Sequence, residues 1–147
     1  MQDDRVRASL ANAIVLLFRQ INRVHNRKFR ELGVSAEQAH ILLLLGVLGP
    51  MTIGRLQKQL SLSSATLTGA LDRLENQGLI RRLPSPDDKR AFVIESRVSA
   101  KKQAQLEAVI DAGEHECFSG LTAAERKELA RLVGKCVTHL EVVAAAK

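Results

Sequence analysis

Residues 60–98 constrain the fold of this chain more than any other segment. They read LSLSSATLTGALDRLENQGLI followed by RRLPSPDDKRAFVIESRV. The first part has apolar residues at helical spacing, and the second alternates apolar and polar residues on both sides of a turn rich in proline and aspartate. A helix followed at once by a basic hairpin is typical of a winged helix-turn-helix.

The start of this segment completes a helix-turn-helix with the residues before it. Thr52 fits the N-cap of a short helix that continues to about Gln59, and Ser63 fits the N-cap of the next helix. That second helix is predicted to end near residue 77, before Gly78. The residues predicted to face the core are Ile53, Leu56 and Leu60 of the first helix and Leu67, Ala70, Leu71 and Leu74 of the second.

The predicted hairpin, called the wing below, has strands at residues 79–83 and 91–98 and a turn at residues 84–88. It carries the basic residues Arg81, Arg82, Lys89 and Arg90 and, at the tip, Asp87 and Asp88. A cationic side chain on a narrow loop can enter the minor groove of DNA. An acidic neighbour can hold such an arginine extended.

The segment before the helix-turn-helix is predicted to form two helices. Residues 5–29 keep an apolar stripe over several turns. A capping box of Ser35 and Gln38 then precedes residues 39–48, which are apolar nearly all round and therefore predict the most buried helix.

Two more helices are predicted after the wing. The first covers residues 99–117, and a second capping box, Thr122 with Glu125, opens the last helix. The apolar residues predicted to face inward on the last helix are Leu129, Leu132, Val133, Cys136, Val137 and Leu140. The fold class is thus mainly α, a winged helix-turn-helix with about six helices and a two-stranded wing.

The long helices at both ends carry apolar stripes that need a cover. A second copy of the chain is an economical cover, because a twofold interface uses one self-complementary patch twice. We therefore expect a homodimer. Residues 1–30 and 99–147 are expected to dimerise, and residues 31–98 to bind DNA.

The net charge of +6 is unevenly distributed. Residues 1–50 have seven Lys/Arg against four Asp/Glu, residues 51–97 have eight against five, and residues 98–147 have seven of each. A basic excess on the first two thirds suits contact with nucleic acid. With four Phe and no Trp or Tyr, a sheet that stacks single-stranded bases on aromatic rings is disfavoured.

The candidate DNA-contacting residues come from the two predicted helices and the wing. Hydroxyl groups and N-terminal amides of the second helix can donate to phosphates or base edges. Arg73 is its only basic side chain, and Arg55 and Lys58 of the first helix can add contacts to the DNA backbone. The full set is Arg55, Lys58, Ser63, Ser64, Thr66, Thr68, Gly69, Arg73, Asp88, Lys89 and Arg90.

The sequence predicts a cytoplasmic protein without a membrane partner. Its first residues are acidic rather than those of a secretory leader, and the apolar run at residues 41–48 is too short to span a bilayer. Cys117 and Cys136 do not make a disulfide framework and are expected to be buried thiols. A redox role for them stays open.

Other classes of function have less support. His115 and Cys117, two residues apart on a helix, chelate poorly together, whereas Cys136 and His139 share a face. No nucleophile–base arrangement or phosphate loop is readable, so we expect neither an enzyme nor a cofactor or metal site. A metal- or redox-responsive regulator and a winged-helix module that binds protein remain the alternatives.

Residues 40–98 resemble the MarR family of winged-helix regulators. The matching residues are the L-x-L-S of residues 60–63, Thr66, Thr68, the D-R-L-E of residues 72–75, the G-L-I of residues 78–80 and the R-x5-D-x-R that ends at Arg90. The resemblance implies a homodimer, formed by the first and last helices, that binds pseudo-palindromic duplex DNA. It implies a repressor released by a small ligand or an oxidant. It also makes Asp88 and Arg90 the ion-paired arginine motif of the wing and residues 63–73 the major-groove helix.

The chain also departs from the pattern of that family. The family often has basic residues where this chain has Ser64 and Gly69, so base reading here is expected to depend less on arginine. Lys102 replaces a glycine that usually follows the second strand. The first helix lacks the cysteine of oxidant-sensing members, which disfavours peroxide sensing by that mechanism.

The resemblance also suggests where an effector binds. In this family effectors tend to bind where the dimer helices meet the DNA-binding part. Arg19, His25 and His40 are candidates to line such a site. The expected effector is a small aromatic or phenolic molecule.

Overall fold

Residues 9–88 and 90–145, which the computed structural model of this chain describes, form six helices and three short strands. The helices are α1 (Leu10–Glu31), α2 (Ala36–Leu48), α3 (Ile53–Leu60), α4 (Ser64–Asn76), α5 (Ala100–Phe118) and α6 (Ala123–Ala145). The strands are β1 (Met51–Thr52), β2 (Ile80–Pro84) and β3 (Phe92–Ser96). The mainly α winged helix-turn-helix is confirmed, while the predicted start of the first helix lies outside the described residues.

The wing belongs to a three-stranded antiparallel sheet with the order β1-β3-β2, and not to a sheet of two strands as predicted. In the hairpin, Arg82 lies opposite Ile94, and Pro84 lies opposite Phe92. The additional strand, β1, pairs Met51 with Ile94. A strand of two residues has no measurable alternation, which is why the sequence pattern does not reveal it.

The hydrophobic core is built around α2, as its apolar sequence predicts. Ile41 and Leu42 of α2 are fully buried, as are Phe29 of α1 and Ile94 of β3. Helix α4 contributes the four side chains predicted to face inward, each 0% exposed: Leu67, Ala70, Leu71 and Leu74. Burying a leucine or phenylalanine side chain contributes roughly 1.5–3 kcal/mol, so this core fixes α4 against the sheet.

Side-chain caps start the helices where the sequence predicts them. Ser35 and Gln38 form a reciprocal capping box at α2, and the Thr52 hydroxyl caps α3. Thr122 and Glu125 form the second reciprocal box at α6. Each cap satisfies backbone N–H groups that have no partner inside their helix.

The first half of α5 is attached to α1 and α2 by two polar side chains. The carboxamide of Gln103 lies against Gly46 of α2, where a Cβ would have no room. Lys102 donates from Nζ to the carbonyl oxygen of Leu32, at the C-terminal end of α1. Lys102 therefore caps the end of α1, where a positive charge is favourable.

The chain divides into two compact units, residues 1–113 and 114–147. In the second unit the apolar stripe of α6 is not buried, which corrects the prediction that it faces inward. Leu132, Val133, Val137 and Leu140 are 46%, 51%, 50% and 64% exposed. Leu129 is half-buried and Cys136 is exposed. Within the described part of the single chain, this stripe remains open to solvent.

Candidate nucleic-acid interface

The first turn of α4 is held by its N-cap, Ser63. The Ser63 hydroxyl accepts a hydrogen bond from the backbone N–H of Thr66 at 3.1 Å and lies 2.8 Å from the Thr66 hydroxyl. Both residues are exposed. The other amides of the first turn and the positive end of the helix dipole make this end of α4 suitable for a phosphate.

A side-chain hydrogen bond joins the two helices of the helix-turn-helix. Gln57 of α3 donates from Nε2 to the hydroxyl of Ser64 on α4 at 3.0 Å. In the turn between these helices, Ser61 has a left-handed conformation with a φ of 50°. A hydroxyl that accepts one hydrogen bond keeps its own proton. Ser64 can therefore still donate to DNA while Gln57 fixes its position.

The solvent-facing side of α4 carries several small side chains, and Arg73 is its one basic residue. Thr68 and Arg73 are exposed on it. A Cβ added to Gly69 would meet only the Arg73 guanidinium, at 3.5 Å, which is an ordinary van der Waals distance. Because no bulky group occupies this position, the backbone of α4 can come close to base edges.

Helix α3 adds two positive charges beside α4. Arg55 and Lys58 are both exposed on it, as the sequence predicts for residues that contact the DNA backbone. Arg55 also borders an open cavity of about 410 Å³ whose walls include Leu83 and Val93 of the sheet.

The wing tip is closed by hydrogen bonds. The backbone N–H of Ser85 donates to the carbonyl oxygen of Ala91 at 2.9 Å, and the N–H of Ala91 donates to that of Asp88 at 2.9 Å. The N–H of Asp87 donates to the Ser85 hydroxyl at 3.3 Å. These bonds define the shape of the loop without a hydrophobic core.

Asp88 acts on Arg90 through the backbone, which corrects the expected ion pair. Oδ1 of Asp88 accepts from the backbone N–H of Arg90 at 2.9 Å. In the described part of the wing, no ion pair joins this carboxylate to the exposed Arg90 guanidinium. A carboxylate two residues earlier in a tight turn reaches the amide more readily than the end of the side chain. Lys89 lies outside the described residues.

The two arginines of β2 are engaged within the protein, and their partners were missed in the sequence. Arg81 pairs across the hairpin with Glu95, and this hydrogen bond lowers the pKa of Glu95. Arg82 binds two carboxylates of α4: its Nη2 lies 2.6 Å from Oδ1 of Asp72, and its Nη1 lies 3.0 Å from Oε2 of Glu75. The spacing of three between these acids, which puts them on one helix face, was the available signal. Arg82 therefore ties the wing to α4.

Two of the three candidate effector residues lie together. The rings of His25 and His40 are 5.9 Å and 6.0 Å from the ring of Phe29, which is buried between α1 and α2. Burial lowers the pKa of both histidines. Nε2 of His25 is buried without a hydrogen-bond partner in the described part of the chain and lies against Gly113. Arg19 is exposed and outside this cluster.

The remaining predictions concern thiols, metals and membranes. Cys136 is exposed and Cys117 half-buried, so neither is the fully buried thiol that was expected. Both lie in the second unit, whose apolar stripe is open. Among the described residues, no group of three His, Cys, Asp or Glu side chains is arranged to hold a metal ion. No single described helix is long and apolar enough to cross a membrane, and α1 with α2 meets that criterion only as a pair bent by 78°.

Known proteins have sequences similar to this chain. A family model described as "MarR family" matches residues 34–92. The multiple antibiotic resistance protein MarR of Salmonella typhimurium is 36% identical over 94 residues, which are 59% of this chain and 65% of that protein, just under two thirds of its length. The HTH-type transcriptional regulator PecS of Dickeya dadantii is 30% identical over 126 residues, which are 82% of this chain and 75% of PecS.

A solved structure extends the similarity to three dimensions. A MarR mutant from E. coli in complex with operator DNA superimposes with a TM-score of 0.76 at 28% identity. The superposition covers 86% of this chain and 92% of that one. It thus includes elements well outside the segment that the family model matches. From its sequence and its fold, this chain belongs to the MarR family of winged-helix transcriptional regulators.

Proposed function

We propose that this chain is a homodimeric, sequence-specific DNA-binding repressor that a small molecule releases from its operator. The observation that carries the proposal is that one unit presents both the open face of α4 and an exposed Arg90 on a hydrogen-bonded wing. Arg82 joins these two elements through Asp72 and Glu75. A protein that binds neighbouring grooves of one duplex with two elements needs those elements held in a fixed position relative to each other.

In this proposal α4 lies in the major groove, with residues 63–73 toward base edges and phosphates. Arg55 and Lys58 contact phosphates, which positions the protein on the duplex without reading sequence. Arg90 enters the adjacent minor groove, where narrow A·T tracts concentrate negative potential. Asp88 contributes by fixing the backbone of Arg90.

Exposed apolar surface supports the homodimer. On α1, Leu10, Ile14 and Phe18 are 75%, 55% and 62% exposed, and the α6 stripe is open as well. Large apolar patches on a single chain mark interaction sites, and a twofold axis covers the same patch on both copies. We propose that residues 1–30 and 99–147 dimerise while residues 31–98 bind DNA. Two binding regions then meet half-sites about 10 bp apart.

The proposed effector is a small aromatic or phenolic molecule that binds beside His25 and His40. Both histidine rings are partly exposed and pack against the buried ring of Phe29. Arg19 needs a second copy or another conformation to contribute. A ligand releases the protein from DNA only if it binds the DNA-free conformation more tightly. A regulator of this kind acts on the chromosome, which places it in the cytoplasm.

Selection of duplexes from a random pool tests the proposal. We expect enrichment of a pseudo-palindrome, a dimer in sedimentation, and affinity that falls as salt rises. Arg90→Ala should weaken binding and reduce the slope of log affinity against log salt by roughly one unit per lost phosphate contact. Arg81→Ala is the control, because Arg81 is an exposed arginine that pairs with Glu95 and is not among the proposed DNA contacts.

Three results would contradict the proposal. One is a pool without any enriched duplex, and another is a monomer at micromolar concentration. The third is an Arg90→Ala variant with unchanged affinity and salt slope, which would remove the wing from the interface. Stoichiometric metal in the purified protein would favour a metal-responsive regulator instead.

A further inference from the structure

Phe92 is an exposed aromatic side chain in the proposed DNA-binding region. It begins β3 and is 50% exposed, whereas Phe29 in the core of the same unit is 0% exposed. It lies in a paired strand, opposite Pro84, and not in the loop of the wing. Single exposed apolar residues are common on protein surfaces. Exposure alone therefore does not indicate a binding role for this ring, and its position in the fold is needed as well.

The strand register places Phe92 on the side of the wing that faces α4. Residues directly opposite each other in a hairpin, and residues two apart along a strand, share a face of the sheet. Phe92 therefore shares its face with Ile94 and with Arg82, which lies opposite Ile94. Ile94 is fully buried, and Arg82 pairs with α4. Phe92 and Pro84 lie two cross-strand pairs nearer the tip than Ile94 and Arg82.

The charges near this ring indicate a polyanionic partner. Arg90, two residues before Phe92, is exposed, and so is Arg73 on α4. The α4 acids Asp72 and Glu75 are paired with Arg82. Of the two exposed acids at the wing tip, Asp87 and Asp88, the second accepts a hydrogen bond from the backbone N–H of Arg90. Duplex DNA combines phosphates, which such arginines attract, with apolar deoxyribose C–H groups beside them. An exposed aromatic ring that follows an exposed arginine by two residues matches that combination.

We propose that Phe92 packs against deoxyribose groups of the bound duplex, at the edge of the groove that the wing enters. The proposal rests on the proposed DNA-binding function and adds a contact of a different kind. Arg90 displaces counterions from the phosphates, so its contribution depends on salt. The ring of Phe92 removes apolar surface from water, so its contribution does not.

Equilibrium binding over a range of salt concentrations tests this difference. The probe is the tightest duplex selected from a random pool by the full wild-type chain. Phe92→Ala should weaken binding about tenfold at every salt concentration, because the variant lacks the apolar ring that the complex buries. The salt slope should stay unchanged, because no charge is removed. Phe92→Leu should retain most of the affinity. Val47→Ala, at a residue 72% exposed on α2, is the control and should bind like the wild type.

Photocrosslinking separates direct contact from an effect on folding. p-Benzoylphenylalanine inserts into nearby C–H bonds, including those of deoxyribose. At position 92 it should crosslink to the duplex, and at position 47 it should not. Wild-type affinity of Phe92→Ala, or the absence of a crosslink from position 92, would overturn the inference and leave the proposed function standing. If the wild-type chain selects no duplex, both are wrong.

Discussion

Helix α4 and the wing, which we assign to the same duplex, are held in place by different interactions. Leu67 and Leu71 of α4 are 0% exposed, so the helix is positioned by burial. The wing tip is closed by backbone hydrogen bonds such as that from Ser85 to Ala91 and is tied to α4 by Arg82. Burial has no directional requirement, whereas hydrogen bonds and ion pairs do. We therefore expect α4 to contribute more to the free energy of unfolding. DNA binding by the wing is expected to depend more on how the wing is oriented relative to α4.

The two regions also differ in charge. Helix α4 exposes hydroxyl groups, Arg73 and the Asp72 carboxylate that pairs with Arg82. The wing exposes Arg90, the two aspartates of its tip and the ring of Phe92. In the proposed complex, base reading by α4 thus depends mostly on short neutral donors. Affinity depends more on the wing. Substitutions that alter the free energy of unfolding and the orientation of the wing to different degrees can test this comparison.

The largest effect is expected from Leu71→Ala in the buried stripe of α4. A fully buried leucine cut to alanine loses about 2–5 kcal/mol of the free energy of unfolding, since it leaves a cavity. Denaturant titration measures this loss. Val47→Ala, at an exposed position of α2, should change stability by less than about 0.5 kcal/mol. Equal losses in the two variants would show that burial does not position α4.

A smaller effect is expected at the N-cap of α4. Ser63→Ala removes the acceptor for the Thr66 N–H and should lower the free energy of unfolding by about 1 kcal/mol. Ser63→Asn, which keeps a capping acceptor, should restore most of it in the same titration. An Asn variant as unstable as the Ala variant would mean that the cap hydrogen bond is not the cause.

Arg82→Ala should cost less stability still and nevertheless weaken DNA binding. Partly exposed ion pairs contribute about 0.2–1 kcal/mol. Loss of the links to Asp72 and Glu75 should let the wing reorient, so affinity falls while the salt slope stays the same. Arg81→Ala is the matched control, because Arg81 pairs with Glu95 of the wing and not with α4. Equal losses of affinity in both variants would contradict a role in orientation.

The smallest effect is expected from pH and lies outside both regions. Burial lowers the pKa of His25 and His40 in the folded chain below their usual 6.5; His40 and Lys28 add to this at His25, and Glu37 opposes it at His40. The unfolded chain therefore binds more protons below pH 6.5, and the free energy of unfolding should decrease as the pH falls from there. Above that pH neither histidine contributes to the dependence.

Denaturant titrations between neutral and mildly acidic pH measure this decrease. The double variant His25→Gln with His40→Gln should show a flatter dependence than the wild type. An identical slope in the two proteins would assign the acid sensitivity to other groups. The circular dichroism of the folded baseline should be unchanged over this range.

Much of the fold could be predicted because its signals are local. The capping box at Ser35, the N-cap at Ser63 and the buried stripe of α4 each depend on residues within a few turns of one another. Spacing along the chain defines which side chains share a helix face, whatever surrounds the helix. The candidate residues of α3 and α4 could be named for the same reason, since exposure on the opposite face follows from that spacing.

Only the tertiary structure decided which distant segments of the chain contact each other. The sequence determined that a helix-turn-helix is followed by a basic hairpin. Only the fold paired β1 with β3, committed Arg82 to α4, and brought Lys102 to the carbonyl of Leu32, 70 positions away. Only the fold left the α6 stripe open. The physical reason is that a local pattern states which faces are apolar or charged, whereas the partner of each face depends on how the chain packs.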